Sequence, residues 1–530
     1  MLPKLHNTAA RTMNQTDQVN CRLVGFLPFT ANNRDLATYA LDQPTNWVYS
    51  HLAASVLAIQ HFNEKNSAVV KELSEYEGCP VHLQEPVFGN SNSGVADVAK
   101  FLVEQVAQGI RYCAIVGPYE NEPALEASHI AAGLEIPMIT HGADDTRLSN
   151  FNLNPFAART SLSLHPIGES VISWLRSKGR NDFLSIISVT RDFGDQYFKG
   201  IDNAAKESGF RNIEHYVVAP PFTGFEPNRG FGYAFQEIKL TGYRNIVVAL
   251  GNARTQLQAM ADYAELFGLN NGEYVWTLSH NLDMAEMSFL ASTNANVSKL
   301  LRGMAIVRPL DGFAAHTGMG VEDPFLTSWM QQNASMVERI NGLHPIQKRR
   351  SAGYYQARPN YFQTHQPEQG ASFMYDAVMT AGIAKCKEVA AATRGGGGGG
   401  GGGNNGGGAA GASSGTEGSL GGTSRRQQAV SDDEVRPTTT TPRVRRRFVK
   451  GVQQKSRQQT RRQLKAPKSA INPYMEAIYD TEFDGASGRI AFGENNGNQP
   501  SARKRETAVY GAYNLRDISA ADHALNTNYT

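Results

Sequence analysis

Residues 113–142, CAIVGPYENEPALEASHIAAGLEIPMITHG, decide the fold of this chain. Within them, CAIVGPY (residues 113–119) predicts a short buried strand, NEPALEASHIAAG (residues 121–133) predicts a helix, and IPMITHG (residues 136–142) predicts a second strand. Short β-branched strands separated by helices are typical of βαβ units, in which the strands lie parallel. The stretch therefore predicts an α/β protein with a parallel sheet.

The same alternation continues on both sides and forms two groups. The first group begins with the strand RLVGFLPF (residues 22–29) and runs through IPMITHG. After a turn-rich stretch the alternation restarts with the helix ESVISWLRSKG (residues 169–179) and the strand FLSIISVT (residues 183–190), and it continues to GMAIVRPL (residues 303–310). Two such groups predict two lobes, each a parallel sheet flanked by helices.

The composition is that of a globular protein with one strongly basic segment. Of the 530 residues, 41% are hydrophobic and 19% are charged, and the formal net charge is +2. Residues 424–468 contain 14 Lys or Arg against 3 Asp or Glu, which leaves a charge of −9 for the rest of the chain. The acidic remainder predicts a globular part that does not bind nucleic acid, and the basic segment is interpreted as a solvated, disordered linker.

The four cysteines are Cys21, Cys79, Cys113 and Cys386. They have neither the paired spacing of a zinc site nor the density of a disulfide scaffold. The first three each precede a predicted strand of the first lobe, so they lie along one edge of its sheet. A disulfide within this group and free buried thiols are both compatible with that position.

The sequence shows no targeting or membrane segment. No stretch approaches the roughly 18 apolar residues of a transmembrane helix. Residues 1–20 lack the apolar core of a signal peptide. Two alternatives remain at this point, an intracellular protein or a chain that lacks pieces of a longer one.

Candidate ligand-binding residues follow from the order of the predicted elements. Ligands of open parallel sheets bind beyond the carboxyl ends of the strands, where helix N-termini present N–H groups. Turns at these ends also collect Gly, Asp and Asn because such residues cap helices, so the prediction depends on the whole set meeting in one cleft. The predicted ligand-binding residues are Tyr119, Glu120, Asn121, His141, Gly142, Asp144, Phe193, Asp195, Ser279 and His280.

Five motifs occur in a characteristic order across about residues 22–392: LAIQHFNEKN, AIVGPYENEPALEASHIAAGLEIPMITHGADDTRLSN, PFAARTSLSLHPIGESVISWLRSKG, SVTRDFGDQYFKGI and FMYDAVMTAGIA. Together they resemble the receptor family ligand-binding region. This is the type I periplasmic-binding-protein fold that forms the extracellular ligand-binding part of class C G-protein-coupled receptors, natriuretic-peptide receptor cyclases and ionotropic glutamate receptors. The resemblance implies two lobes joined by a hinge, which close on a small molecule or, in some receptors, a peptide, without catalysis.

The resemblance also implies that the domain does not end at the nine glycines of residues 395–403. The family continues through a short helix and a hairpin that reads much like F-D-G-x-S-G. INPYMEAIYD (residues 471–480) and FDGASGRIAFGENNGN (residues 483–498) supply both. We therefore expect residues 393–469, Gly-rich and then Arg-rich, to form a disordered insertion within the domain.

This interpretation fixes the expected organisation of the chain. The expected parts are a disordered N-terminus (1–20), a first lobe (21–160, 311–392 and 470–482), a second lobe (161–310 and 483–516), the insertion (393–469) and a tail (517–530).

The expected partner is a small molecule that is amino-acid-like, an amine or otherwise polar, and the residue types of the predicted site favour a cationic or polyhydroxylated one. In amino-acid-binding relatives, the turns after the third and fourth strands carry Ser or Thr hydroxyls. At the matching places this chain has Glu120 and Asp144. Carboxylates repel an anionic ligand and attract an amine, and Phe193 would add a cation–π contact.

Enzymatic function is the less favoured interpretation. The chain has no GxGxxG after the first strand, no P-loop, no HExxH and no GxSxG. His141 and His280 lie near carboxylates, but scattered histidines in an α/β protein are usually structural. We therefore predict no catalytic site, no metal and no cofactor.

The leading prediction is a receptor-type ligand-binding domain at the extracellular face of the plasma membrane or secreted, with membrane contact only through segments outside this chain. The alternative is a soluble solute-binding protein. A LacI-type repressor is excluded because residues 1–20 cannot supply a helix-turn-helix. Relatives dimerise through helices of the first lobe, equivalent here to residues 50–66 and 95–109, so a homodimer is also expected.

Overall fold

The computed structural model describes fifteen stretches of this protein: residues 19–27, 47–90, 95–161, 164–180, 183–189, 193–219, 222–227, 229–250, 253–279, 284–309, 323–343, 357–368, 370–395, 472–492 and 510–514. The predicted disorder of residues 1–20, 393–469 and 517–530 lies almost wholly outside these stretches and stays a prediction.

Strands and helices alternate along the described residues, as the sequence predicts. The strands are β1 (Val19–Leu27), β2 (Val81–Asn90), β3 (Ala114–Val116), β4 (Met138–Thr140), β5 (Ala157–Arg159), β6 (Phe183–Val189), β7 (Asn212–Val218), β8 (Asn245–Ala249), β9 (Val275–Ser279), β10 (Ala305–Pro309), β11 (Glu482–Gly485), β12 (Gly488–Ala491) and β13 (Tyr510–Asn514). The helices are α1 (Trp47–Glu64), α2 (Val95–Ala107), α3 (Asn121–Leu134), α4 (Leu164–Ser177), α5 (Phe193–Glu207), α6 (Phe231–Thr241), α7 (Ala253–Phe267), α8 (Met284–Thr293), α9 (Ala295–Leu301), α10 (Pro324–Met330), α11 (Ala334–Leu343), α12 (Tyr361–Thr364), α13 (Ala371–Gly395) and α14 (Pro473–Tyr479). Two short 3₁₀ helices span Lys71–Tyr76 and Thr146–Ser149.

The first lobe contains a five-stranded sheet in the order β2-β1-β3-β4-β5, and all its strand pairs are parallel. Residues 23–27 of β1 are buried. One hydrophobic core packs this strand with α1 and α13, and a second packs it with α2 and α3. Continuous burial is what a parallel strand requires when helices cover both faces of its sheet.

The second lobe contains a six-stranded sheet in the order β13-β10-β9-β8-β6-β7. Its strands are parallel except β13, which runs antiparallel to β10 with Ala305 opposite Asn514 and Pro309 opposite Tyr510. In β6, residues 184–189 are buried, with hydrophobic cores on both faces of the sheet. The predicted fold class, two lobes of parallel sheet flanked by helices, is confirmed.

Helix α13 is the central helix of the first lobe. Residues 371–384 are all buried, and the helix packs closely along α1. Gly382 makes this contact possible, because a Cβ at that position would lie 2.5 Å from the ring of Phe62. Helix α14 also contacts α13, since the Tyr474 hydroxyl donates to the carbonyl of Ala381 at 2.8 Å.

The hairpin β11–β12 also belongs to the first lobe, and its expected place in the second lobe is wrong. The fully buried carboxylate of Asp376, on α13, accepts hydrogen bonds from the backbone N–H of Ala486 (2.7 Å), from that of Ser487 (2.9 Å) and from the Ser487 hydroxyl. Phe483 and Ile490 are buried in the first lobe's core. Of the expected second-lobe segment 483–516, the described strand that joins the second sheet is β13.

Two disulfides fasten the first lobe. Cys21 pairs with Cys113, joining the beginnings of the neighbouring strands β1 and β3, and Cys79 pairs with Cys386 on α13. The first pair is one of those that the edge position allows. The second was not predicted because 307 residues separate its partners in sequence.

Helix α1 lies inside the first lobe. Residues 48–59, 61 and 62 are buried, so this helix has little surface for an interface between two copies, and that part of the dimer expectation is wrong. Helix α2 differs, because Val103 and Val106 on it are 56% and 38% exposed. Within the described residues, no helix is both long and apolar enough to cross a membrane.

Candidate ligand-binding site

Two turns meet at the carboxyl edge of the first lobe's sheet. Strands β3 and β4 are parallel neighbours, so the residues that follow Val116 and Thr140 leave the sheet side by side. The Thr140 hydroxyl joins the turns by donating to the carbonyl of Pro118 at 2.5 Å. The six predicted residues of this lobe are therefore brought together.

Asn121 holds the two turns in register. Its side-chain N–H donates to the Asp144 carboxylate at 2.6 Å, and its side-chain oxygen accepts from the backbone N–H groups of Asp144 (2.8 Å) and Asp145 (3.0 Å). The next amide is also bonded, since the N–H of Ala143 donates to the Thr140 hydroxyl at 3.2 Å. Asn121 therefore supports the site and is not a free ligand contact.

Tyr119 forms an aromatic cluster with two histidines. Its ring centroid lies 5.3 Å from that of His51 and 5.5 Å from that of His141, and the two histidine rings are 5.1 Å apart. Tyr119 is partly exposed, whereas both histidines are fully buried. Of the three residues, Tyr119 is the one with some exposed surface.

The two histidines share a hydrogen bond between His141 Nε2 and His51 Nδ1 at 3.2 Å. One of the two nitrogens must donate and the other accept, so the rings hold complementary tautomers. Burial, with a smaller contribution from His51, holds the pKa of His141 well below its usual range. His141 is thus a neutral residue beneath the site, and acid–base chemistry on a ligand does not fit its burial.

Asp144 and Glu120 supply negative charge beside Tyr119. Burial raises the pKa of Asp144 to about 6, against the opposing effects of the Asn121 hydrogen bond and of Arg159. At pH 7 this carboxyl is therefore mostly ionised. Burial raises the pKa of Tyr119, and the charges of Asp144 and Glu120 raise it further.

The predicted residues of the second lobe are described by their positions along its strands and helices. Phe193 is the first residue of α5, Asp195 lies in its first turn, and Ser279 ends β9. These positions are at carboxyl ends of strands or in the helix that follows one, as predicted. His280 lies outside the described residues.

Sequence reasoning missed His51. The residue lies near the start of α1, the helix that follows β1, and therefore at the same sheet edge as the two turns. The rule that selected the turns after β3 and β4 also applies to the connection after β1. Applied there, it would have pointed to this histidine.

Other kinds of site find little support in the described residues. No group of three or more His, Cys, Asp or Glu side chains is arranged to hold a metal ion there. A groove of about 470 Å³ between α4 and α5 is lined by Glu169, Ser173, Arg176, Ser177, Ala204, Glu207 and Ser208. These residues lie along two helices and not at strand ends, so the groove is not the predicted ligand site.

Residues 53–503 match the family described as the receptor family ligand binding region. The chain belongs to this family. The match begins in α1 and ends beyond β12, so residues on both sides of the glycine-rich stretch fall within one receptor family ligand-binding region. The predicted type I periplasmic-binding-protein-like family is confirmed.

Two solved structures are similar to this receptor family ligand-binding region. An ABC transporter substrate-binding protein from Sphaerobacter thermophilus has a TM-score of 0.53 and 10% identity, over 94% of this chain and 93% of that one. A proposed branched-chain amino acid ABC transporter from Rhodospirillum rubrum has a TM-score of 0.47 and 14% identity, over 94% and 99%. At 10% identity, the likeness to the Sphaerobacter protein concerns the fold alone. No curated protein sequence matches the chain.

Proposed function

We propose that this chain binds a small cationic molecule between its two lobes, as the extracellular ligand-binding domain of a signalling receptor. The observation that carries the proposal is the pair of carboxylates, Glu120 and Asp144, on the two neighbouring turns that meet at the partly exposed residue Tyr119. An ammonium group about 4 Å from one carboxylate gains on the order of 4 kcal/mol at an effective dielectric constant near 20. Stacking on the ring would add a cation–π contact.

An anionic ligand is disfavoured at the same edge. Backbone N–H groups usually hold anions at such turns. Here the amides of residues 143–145 already donate to the side chains of Thr140 and Asn121. A ligand carboxylate would thus meet negative charge and occupied donors.

The second lobe completes the proposed site from the opposite side. Phe193 and Asp195 lie at the start of α5, which follows β6, and Ser279 ends β9, the positions at which parallel sheets receive ligands. We assign His280, the next residue in sequence, to the same site. We assign Phe193 to a further aromatic contact and Asp195 to a further carboxylate. Closure of the two lobes on the ligand would communicate its binding to the rest of the proposed receptor.

Both disulfides support an extracellular or otherwise oxidising compartment. Bonds such as Cys21–Cys113 and Cys79–Cys386 form and persist in secreted and periplasmic proteins, whereas cytosolic thiols are kept reduced. A soluble solute-binding protein would occupy the same compartment and have the same two-lobed fold. Fractionation of cells that make the native protein separates the alternatives, since a receptor pellets with membranes and a solute-binding protein does not.

We further propose a homodimer formed through α2. The exposed side chains of Val103 and Val106 on this helix provide apolar surface of the kind that a two-fold interface covers. Sedimentation of the wild type should show a dimer, and Val103→Glu should shift it to monomer. A monomeric wild type at tens of micromolar would contradict this part of the proposal.

The binding proposal is tested by calorimetry with tyramine and glutamate as probes. The wild type should bind tyramine and not glutamate, and Asp144→Ala should weaken tyramine binding by tenfold or more. Asp202→Ala is the matched control, because Asp202 pairs with Lys206 along α5 and lies outside the site. Binding of glutamate without tyramine, or equal effects of the two substitutions, would refute the proposal.

A further inference from the structure

The ring of Tyr119 lies directly on the backbone of Gly142. A Cβ added to Gly142 would lie 2.1 Å from Cδ2 of the tyrosine, 2.4 Å from Cε2 and 2.6 Å from Cγ. These separations are far below a van der Waals contact, so only glycine leaves room for the ring at this position. Tyr119 thus covers the residue of the β4 turn that has no side chain of its own.

Two histidines and a second glycine also lie close to the ring. The rings of His51 and His141 lie against it, and the hydrogen bond between these buried histidines fixes their positions. A Cβ on Gly370, the residue before α13, would lie 3.0 Å from His51 Cε1 and 3.7 Å from Tyr119 Cε2. Three segments distant in sequence, at residues 51, 141–142 and 370, therefore surround Tyr119.

The consequence concerns access to the backbone of the β4 turn. The amides of residues 143–145 donate to Thr140 and Asn121, and the Tyr119 ring covers Gly142. A ligand group that approaches this turn meets an aromatic face flanked by carboxylates instead of N–H groups. Such a surface accepts an ammonium and offers nothing to a carboxylate.

We propose that Tyr119 is the specificity-determining residue of this site, because its ring keeps ligand carboxylates off the β4 turn and so selects amines over α-amino acids. This inference rests on the proposed function. An amine and the corresponding amino acid share the ammonium that Asp144 and Glu120 attract, so these carboxylates alone do not distinguish the two. The ring does, because it fills the space that the amino acid's carboxylate would need over Gly142.

The test uses two pairs of probes that differ by one carboxylate, tyramine with tyrosine and isopentylamine with leucine. Calorimetry on the wild type should give at least tenfold tighter binding of each amine. Tyr119→Ala should raise the affinity for tyrosine or leucine at least tenfold. Tyr119→Phe should keep the wild-type preference, since the ring and not the hydroxyl excludes the carboxylate.

Tyr76→Ala is the matched control, because it removes a half-buried tyrosine of the first lobe from the 3₁₀ helix Lys71–Tyr76, away from the site. Tyr119→Ser replaces Tyr119→Ala if the alanine variant melts well below this control. The inference is overturned if the ring-deleted protein gains no affinity for either amino acid, or if the wild type binds both members of each pair equally. A wild type that binds no amine would refute the proposed function, whereas a gain of amino-acid binding by Tyr119→Ala would still support the role of Tyr119.

Discussion

Replacing Asp376 by alanine should release the hairpin β11–β12. The substitution removes the acceptor of two backbone N–H groups, those of Ala486 and Ser487, and of the Ser487 hydroxyl, at a fully buried position. A hydrogen bond to a charged group contributes about 1.5–3 kcal/mol, so losing the two amide bonds alone should cost roughly 3–6 kcal/mol. Opening of the hairpin then becomes on the order of 10² to 10⁴ times more frequent.

Hydrogen–deuterium exchange of peptides from residues 482–492 measures this opening directly. Asp484→Ala is the matched control, because Asp484 lies in the same hairpin with an exposed side chain that pairs with Arg489. Its effect should stay below tenfold. Ser487→Ala removes the hydroxyl bond and should cost about 1 kcal/mol. Equal exchange in the Asp376→Ala and Asp484→Ala proteins would refute the claim that the buried Asp376 carboxylate holds the hairpin closed.

Three further predictions follow from single features of the first lobe. Tyramine affinity should fall about tenfold between pH 7 and pH 5 and should be nearly constant in Asp144→Asn, since protonation of Asp144, with its pKa of about 6, removes the charge that holds the amine. Burial lowers the pKa of His61 to about 4 in the folded protein. The unfolded chain therefore takes up the proton first as the pH falls below about 6.5, which destabilises the folded state. In urea titrations, the free energy by which the wild type is more stable than His61→Gln should shrink by about 2 kcal/mol from pH 7 to pH 5. Double replacement of Cys79 and Cys386 by serine should destabilise the protein by about 2–5 kcal/mol in denaturant, because the bond closes a loop of 307 residues in the unfolded chain.

The sequence predicts the strands and the site's turns well because their signals are local. Buried strands such as FLSIISV alternate with amphipathic helices along the chain, and this alternation alone indicates a parallel sheet. The order of parallel strands then places Tyr119 beside Gly142 at one edge, although 23 residues separate them. Topology therefore predicts the neighbourhood of the site before any side chain is placed.

Features that depend on distant partners are not predictable in the same way. The hairpin turn was recognised from its residues, but Gly and Ser there do not reveal that their partner is Asp376, about 110 residues away. The assignment to the wrong lobe follows from this. The hairpin needs glycine at position 485, since a Cβ on Gly485 would lie 2.3 Å from the Asp376 carboxylate. The contact of His51 with Gly370 is equally long-range and became visible only in the fold.

A crystal structure of the protein grown with tyramine tests the central claim most directly. The account predicts the ammonium within hydrogen-bonding or ion-pairing distance of Asp144 or Glu120, against the ring of Tyr119, with the second lobe closed over the ligand. Density for tyramine in the groove between α4 and α5, or at any place without these carboxylates, would contradict it.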